Sequence, residues 1–115
     1  METKRKGVEA EMFAKEFLES QGWKTLATNW RSGRGEIDLV MQEKDVLVFV
    51  EVKHRPAQWA KHHCFPSMNQ VRTLLETAAR YQERHPWFTQ ARFDFILLLG
   101  KFPVPEYHHF PGAIA

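Results

Sequence analysis

The sequence predicts an α/β fold in which a mixed sheet of four to five strands is flanked by helices, in the order α-β-β-β-α-β(-β). Three observations predict it. The chain opens with apolar residues at helical spacing. Two alternating apolar runs follow, close enough to form a hairpin. A second helical stretch then leads into a continuous apolar run. With 115 residues and no repeat, linker or low-complexity stretch, one domain spanning 1–115 is expected.

From Thr3 to Gln21, Gly7, Ala10, Ala14, Phe17 and Leu18 fall on one side of a helix and Glu2, Glu9, Glu16 and Glu19 on the other. Gly22 suits the C-cap. Glu11 lies at the edge of the apolar stripe, where a carboxylate either reaches water or needs a partner. Trp23 to Trp30 reads as a strand, followed by the Gly-containing turn Arg31 to Gly35. Glu36 to Gln42 alternates, with Ile37, Leu39 and Met41 facing one way and Glu36, Asp38 and Val40 the other. A polar turn at Glu43 to Asp45 leads to Val46–Lys53, where Val46, Val48, Val50 and Val52 oppose Leu47, Phe49, Glu51 and Lys53.

His54 to Phe65 reads as a loop punctuated by Pro56 and Pro66. Ser67 and Gln70 have capping-box spacing, and Val71, Leu74, Leu75, Ala78 and Tyr81 give the second helix its apolar stripe up to His85-Pro86. This helix serves as the crossover to a buried strand over Arg92–Leu99, with a shorter strand from Val104 to His109.

Hydrophobic residues make up 43% and charged residues 26%, as in globular proteins, so disorder is not expected. The formal charge of +2 is too small to argue for nucleic acid by itself. Its distribution fits either a basic surface around an acidic centre or scattered solvated charges. Lys4, Arg5 and Lys6 open the chain, Arg31 and Arg34 flank the glycine turn, and Lys53, Arg55 and Lys61 follow a strand. One cysteine, Cys64, permits no internal disulfide, and no stretch approaches a membrane span. Glu9, Glu11 and Lys15 interrupt any early apolar run that a signal peptide would need. A cytoplasmic protein without membrane association is expected.

The informative constellation is Gly35-Glu-Ile-Asp-Leu-Val40 followed by Phe49-Val-Glu-Val-Lys53. A hairpin turning at Lys44 places Asp38 opposite Glu51, with both carboxylates on one face and Lys53 two residues further along it. Two arrangements fit. In one, the carboxylates pair with Lys53 on a solvated sheet surface. In the other, a hard divalent cation, Mg²⁺ or Mn²⁺, relieves their repulsion, with the Val52 carbonyl as a further ligand.

These residues resemble the PD-(D/E)xK nuclease superfamily, and more closely the YraN-like family of uncharacterised predicted endonucleases. The resemblance runs over nearly the whole chain. It includes Gly7, Glu11 and Ala14, then Asn29-Trp-Arg31, Gly35-Glu-Ile-Asp38, and Phe49-Val-Glu-Val-Lys53 with Arg55. It continues through Ala79-Arg-Tyr81, Arg92-Phe-Asp94 and His109 to Ala113. The resemblance implies a three-layer, restriction endonuclease-like fold. It implies Asp38 and Glu51 as metal ligands, Lys53 as the catalytic lysine, and Glu11 as a helix-borne acid aimed at the same site. Glu36 is an auxiliary ligand or the partner of Arg34 or Arg55. Relatives often carry a lysine early in the second helix, where this chain has Gln70, with Arg72 nearby.

The function so implied is metal-dependent phosphodiester hydrolysis of nucleic acid, DNA in repair or recombination. Arg31, Arg34, Arg55 and Lys61 would contact phosphates. The alternative is a non-catalytic module of the same fold that binds nucleic acid or a repair protein. Resolvase-like relatives suggest a homodimer by analogy. His54, His62, His63 and Cys64 lack the separation of a zinc set and read as loop residues. Arg92 and Asp94 read as structural. Trp30 is expected in the core, whereas Trp59, near Lys61 in the Pro-punctuated loop, is placed to meet a base or a partner.

Overall fold

A computed structural model describes residues 2–59 and 61–114. The side chains of residues 2–6 and of His62 lie outside the description, and with them the basic run Lys4 to Lys6. The elements are α1 (Glu2–Ser20), β1 (Lys24–Ser32), β2 (Gly35–Glu43), β3 (Val46–Arg55), a 3-10 turn at Lys61–His63, α2 (Met68–Arg84), β4 (Gln90–Leu99) and β5 (Glu106–Phe110). The five strands form one sheet in chain order. The β3–β4 pair, joined through α2, is parallel, and the other pairs are antiparallel. The fold is therefore the expected α/β arrangement with a mixed sheet and both terminal strands present.

Each sheet face carries one helix. Ala10, Ala14 and Leu18 of α1 are buried against Leu39, Met41, Val48, Val50 and Ile96. Leu74, Ala78 and Tyr81 of α2 are buried on the other face against Val40, Leu47, Phe49 and Phe93. The strand residues of β3 alternate between the two cores as the sequence pattern requires. Phe17 departs from expectation: it is 39% exposed and rests its ring on Tyr107 at the sheet margin, while Ala10, Ala14 and Leu18 form the inward face of α1.

The start of α2 is fixed by a complete capping box. Ser67 Oγ accepts from the Gln70 N–H at 3.2 Å, and Gln70 Oε1 accepts from the Ser67 N–H at 2.8 Å. Gln70 is thus committed to the cap. Further along, α2 approaches the first hairpin so closely that a Cβ on Gly35 would lie 1.7 Å from Thr77 Oγ1.

Simple alternation fails in β2. Leu39 and Met41 face α1, but Ile37 joins Val40 on the α2 side. On the neighbouring strand Asn29 adopts φ 49°, left-handed backbone that asparagine tolerates better than most residues. The register runs Thr28 with Leu39 and then Trp30 with Ile37, stepping over Asn29 and Asp38. The register is the same on both sides of that gap, and the shift in this ladder lies between Thr25 and Ala27.

Arg92 and Asp94 are structural, as expected, and Asp94 is fully buried. It accepts from Arg92 Nε at 3.0 Å, is bonded to His109 Nε2 at 2.7 Å, and accepts the Gly112 N–H at 2.9 Å. Arg92 also bonds Glu43 at 2.8 Å and lies over Trp23. Burial alone would raise the Asp94 carboxyl, but these donors outweigh it and hold it below the usual carboxylate range. Trp30 is half-buried and meets Tyr81 edge-on.

Candidate active site

The site forms where β2 and β3 part. Their ladder runs from Glu43–Val46 to Leu39–Val50 and stops, although β2 extends back to Gly35 and β3 on to Arg55. At the next step Asp38 Oδ2 accepts the Val52 N–H at 2.8 Å. A carboxylate oxygen thus replaces the backbone acceptor that a continued ladder would supply. It also anchors Asp38 beside Glu51, the neighbour expected from the hairpin register.

Glu51 and Lys53 project from one face of β3, with Lys53 Nζ 3.7 Å from Glu51 Oε2. Both are well covered, at 14% and 20% side-chain exposure, so this is not a solvated surface pair. The other carboxylate oxygen, Glu51 Oε1, is buried and has no hydrogen-bond partner among the described residues. From α1, Glu11 reaches the same cluster, its Oε1 accepting from Asn29 Nδ2 at 2.8 Å. Its position at the edge of the helix stripe therefore has a partner, which Asn29 supplies from its left-handed turn.

Crowded, desolvated carboxylates hold their protons tightly. Burial pushes the Glu11 carboxyl up to about 7, and Asp38 and Glu36 add to this against the Asn29 hydrogen bond. Burial and then the neighbouring Glu51 push Asp38 up to about 8, against the Val52 N–H. Burial raises Glu51 as well, opposed by its contacts with Asp38 and Lys53. At neutral pH the cluster resists carrying its full negative charge.

The remaining expected residues divide. Glu36 pairs with Arg31 at 3.5 Å, not with Arg34 or Arg55, because Arg31 and Glu36 stand opposite each other in the β1–β2 register. Arg34 sits exposed on the hairpin turn. Arg55 follows Lys53 on the same face of β3. Lys61 lies in the 3-10 turn, 3.9 Å from Glu106. His54 Nε2 is bonded to the Gly100 carbonyl at 2.6 Å, and Cys64 is buried. Asn29 is the site residue that sequence reasoning missed. Its signal was an asparagine inside a strand, a residue suited to left-handed turns.

Among the described residues, no group of three or more His, Cys, Asp or Glu side chains converges tightly enough to enclose an ion. The donor set suits a cation that takes one or two carboxylates and completes its shell with water and substrate oxygen, as Mg²⁺ does. The buried Glu51 Oε1, without a hydrogen-bond partner among the described residues, is the observation that fits such an ion.

Layers, strand order and a buried carboxylate cluster where two strands separate define an α/β protein with an acidic centre on a mixed sheet. The chain belongs to the family described as Uncharacterised protein family UPF0102, whose model matches residues 10–98. A UPF0102 protein of Myxococcus xanthus is 34% identical over 97% of this chain and 90% of its own length. One from Halorhodospira halophila is 40% identical over 84% and 79%. One from Chromohalobacter salexigens is 36% identical over 89% and 84%. No helix among the described residues is long and apolar enough to cross a membrane.

Proposed function

We propose that this protein is a divalent-metal-dependent phosphodiester hydrolase acting on nucleic acid, with DNA as substrate. The observation that carries the reading is the buried Glu51 Oε1, without a hydrogen-bond partner among the described residues, beside Asp38 and Lys53. A buried anionic oxygen left unpaired is costly, and a cation is the natural complement. Asp38 and Glu51 would hold Mg²⁺ or Mn²⁺. The Val52 carbonyl would join them, because a strand residue turns its N–H and C=O to the same edge, and the Val52 N–H faces Asp38 where the ladder has ended. When bound, such an ion polarises phosphoryl oxygen and acidifies water.

The chain's own groups account for the rest. Lys53 places an ammonium where negative charge develops on the phosphate. Glu11, with a carboxyl near 7, is matched to exchanging a proton with water at neutral pH. Asn29 is a positioning residue for Glu11. Arg31, Arg34, Arg55 and Lys61 are assigned to phosphate contacts, which orient a strand without reading its sequence. Glu36 stays auxiliary, since Arg31 already engages it.

The test is cleavage of labelled branched, flapped, single-stranded and duplex DNA with Mg²⁺ or Mn²⁺, alongside calorimetric titration of Mn²⁺. Wild-type protein should bind metal and cleave. Asp38→Ala should lose both, and Lys53→Ala should bind metal without cleaving. Nucleic-acid binding with no turnover on any substrate with either metal would replace this reading by a non-catalytic binding module.

A further inference from the structure

We propose that the end of β3 beyond the acidic site holds an unpaired nucleobase of a single-stranded segment, stacked on Trp59 with its phosphate on Arg55. The hydrolase reading supplies the position of the scissile phosphate, and the inference rests on it in that respect. Glu51, Lys53 and Arg55 follow one another at two-residue steps on one strand face. At about 3.3 Å per residue, Arg55 lies on the order of 13 Å beyond Glu51. A strand stretched past the roughly 3.4 Å per nucleotide of B-form DNA covers that distance in about two or three nucleotides.

Trp59 sits at that point. Its ring is 46% exposed, with the Arg55 guanidinium 5.8 Å from the ring centroid. The pair is held in place by backbone. Arg55 Nη1 donates to the His54 carbonyl at 2.9 Å, the Gly100 N–H donates to the Arg55 carbonyl at 3.0 Å, and the Trp59 N–H closes a turn on the Pro56 carbonyl at 3.1 Å. Beside it opens a groove of about 820 Å³, lined by Arg55, Gln58, Lys101 and Phe102, with Glu9 on the α1 side. Arg55 and Lys101 outnumber Glu9, so the groove favours an anion. Its size falls within the roughly 300–1,000 Å³ that encloses a small organic group.

An indole flanked by a guanidinium is the pairing that reads a base face together with a phosphate. Duplex stacking covers base faces, so only a base outside a helix can use this one. The favoured substrate therefore carries a single-stranded flank about two or three nucleotides from the cleaved bond.

Fluorescence anisotropy in EDTA, where no cleavage occurs, tests this with labelled single-stranded oligothymidylate, a duplex of equal length, and inorganic polyphosphate. Wild-type protein should bind the single strand more tightly than either competitor. Trp59→Ala should weaken single-strand binding about tenfold and leave duplex binding unchanged, whereas Trp59→Phe should restore most of the loss. Circular dichroism and the melting temperature confirm that both variants fold. Equal single-strand affinity in wild type and Trp59→Ala, a Trp59→Phe variant no better than alanine, or polyphosphate bound as tightly as the oligonucleotide would overturn the inference. Trp59-dependent binding without cleavage would sink the hydrolase reading and leave this one standing. Cleavage of single-stranded or flapped DNA that ignores Trp59 would do the reverse.

Discussion

Asp38 and Val52 are joined by a hydrogen bond of 2.8 Å in which an aspartate oxygen stands where a β-ladder would place a carbonyl. The bond ends one pairing and begins a site. It pins one carboxylate beside Glu51 and turns the Val52 peptide toward the gap between β2 and β3.

This geometry makes metal-free stability depend on pH in a defined direction. Asp38 rises from 3.8 to about 8 and Glu11 from 4.5 to about 7, so the folded protein binds more protons than the unfolded chain across that interval. Their contribution is fully present below about pH 4 and is lost as pH rises through about 7 to 8. In EDTA, wild-type stability should fall relative to Asp38→Asn over this range, since asparagine keeps an acceptor for Val52 and drops the charge. At pH 8 the variant should be the more stable by about 1–3 kcal/mol. Adding Mn²⁺ should raise the wild-type melting temperature and not that of the variant. Parallel wild-type and variant stability curves would refute the crowded-carboxylate account.

Asp94 titrates in the opposite sense. Its folded carboxyl lies below 3.8, so its stabilisation is present above that value and lost as pH falls through the lowered one. Asp94→Asn should cost about 1–3 kcal/mol at neutral pH, because Arg92 and His109 lose their charged acceptor while Glu43 still holds Arg92. The deficit should shrink in acid, as urea titrations at pH 7 and pH 3 can show.

Gly35 is needed for space. Gly35→Ala would set a methyl 1.7 Å from Thr77 Oγ1, forcing α2 and the first hairpin apart. A loss of about 1–3 kcal/mol is expected. Adding Thr77→Ala should return part of it, since the nearest clashing atom is gone. Denaturation midpoints of the single and double variants decide this.

Asn29 separates a backbone duty from a side-chain duty. Asn29→Gly keeps the φ of 49° accessible but removes the bond to Glu11. Its stability should stay within about 1 kcal/mol of wild type, while turnover falls and the Glu11 limb of the pH–rate profile moves upward. Asn29→Val, which resists left-handed backbone, should lose about 1–2 kcal/mol as well. Equal turnover in wild type and Asn29→Gly would remove Asn29 from the site.

Local chemistry made much of this legible from residues alone. Ser67 and Gln70 announced the start of α2, and the alternation of Val46 to Lys53 fixed which β3 side chains share a face. The two-residue turn at Lys44 set the register that brings Asp38 to Glu51. What stayed hidden depends on contacts between distant segments. Nothing near Ile37 signals that it packs with Val40 on the α2 face, against the alternation of its own strand. The Arg31 partner of Glu36 follows from the β1–β2 register, and the full burial of Asp94 follows from a tail that returns under β4.

That returning tail changes what the end of the chain is for. His109 and the Gly112 N–H both grip Asp94, the Ile114 N–H bonds the Phe93 carbonyl at 3.4 Å, and the Ile114 side chain is buried. Cutting the chain before Gly112 would accordingly act as a core mutation: it would vacate the space of Ile114 and take one donor from a sequestered anion in a single stroke.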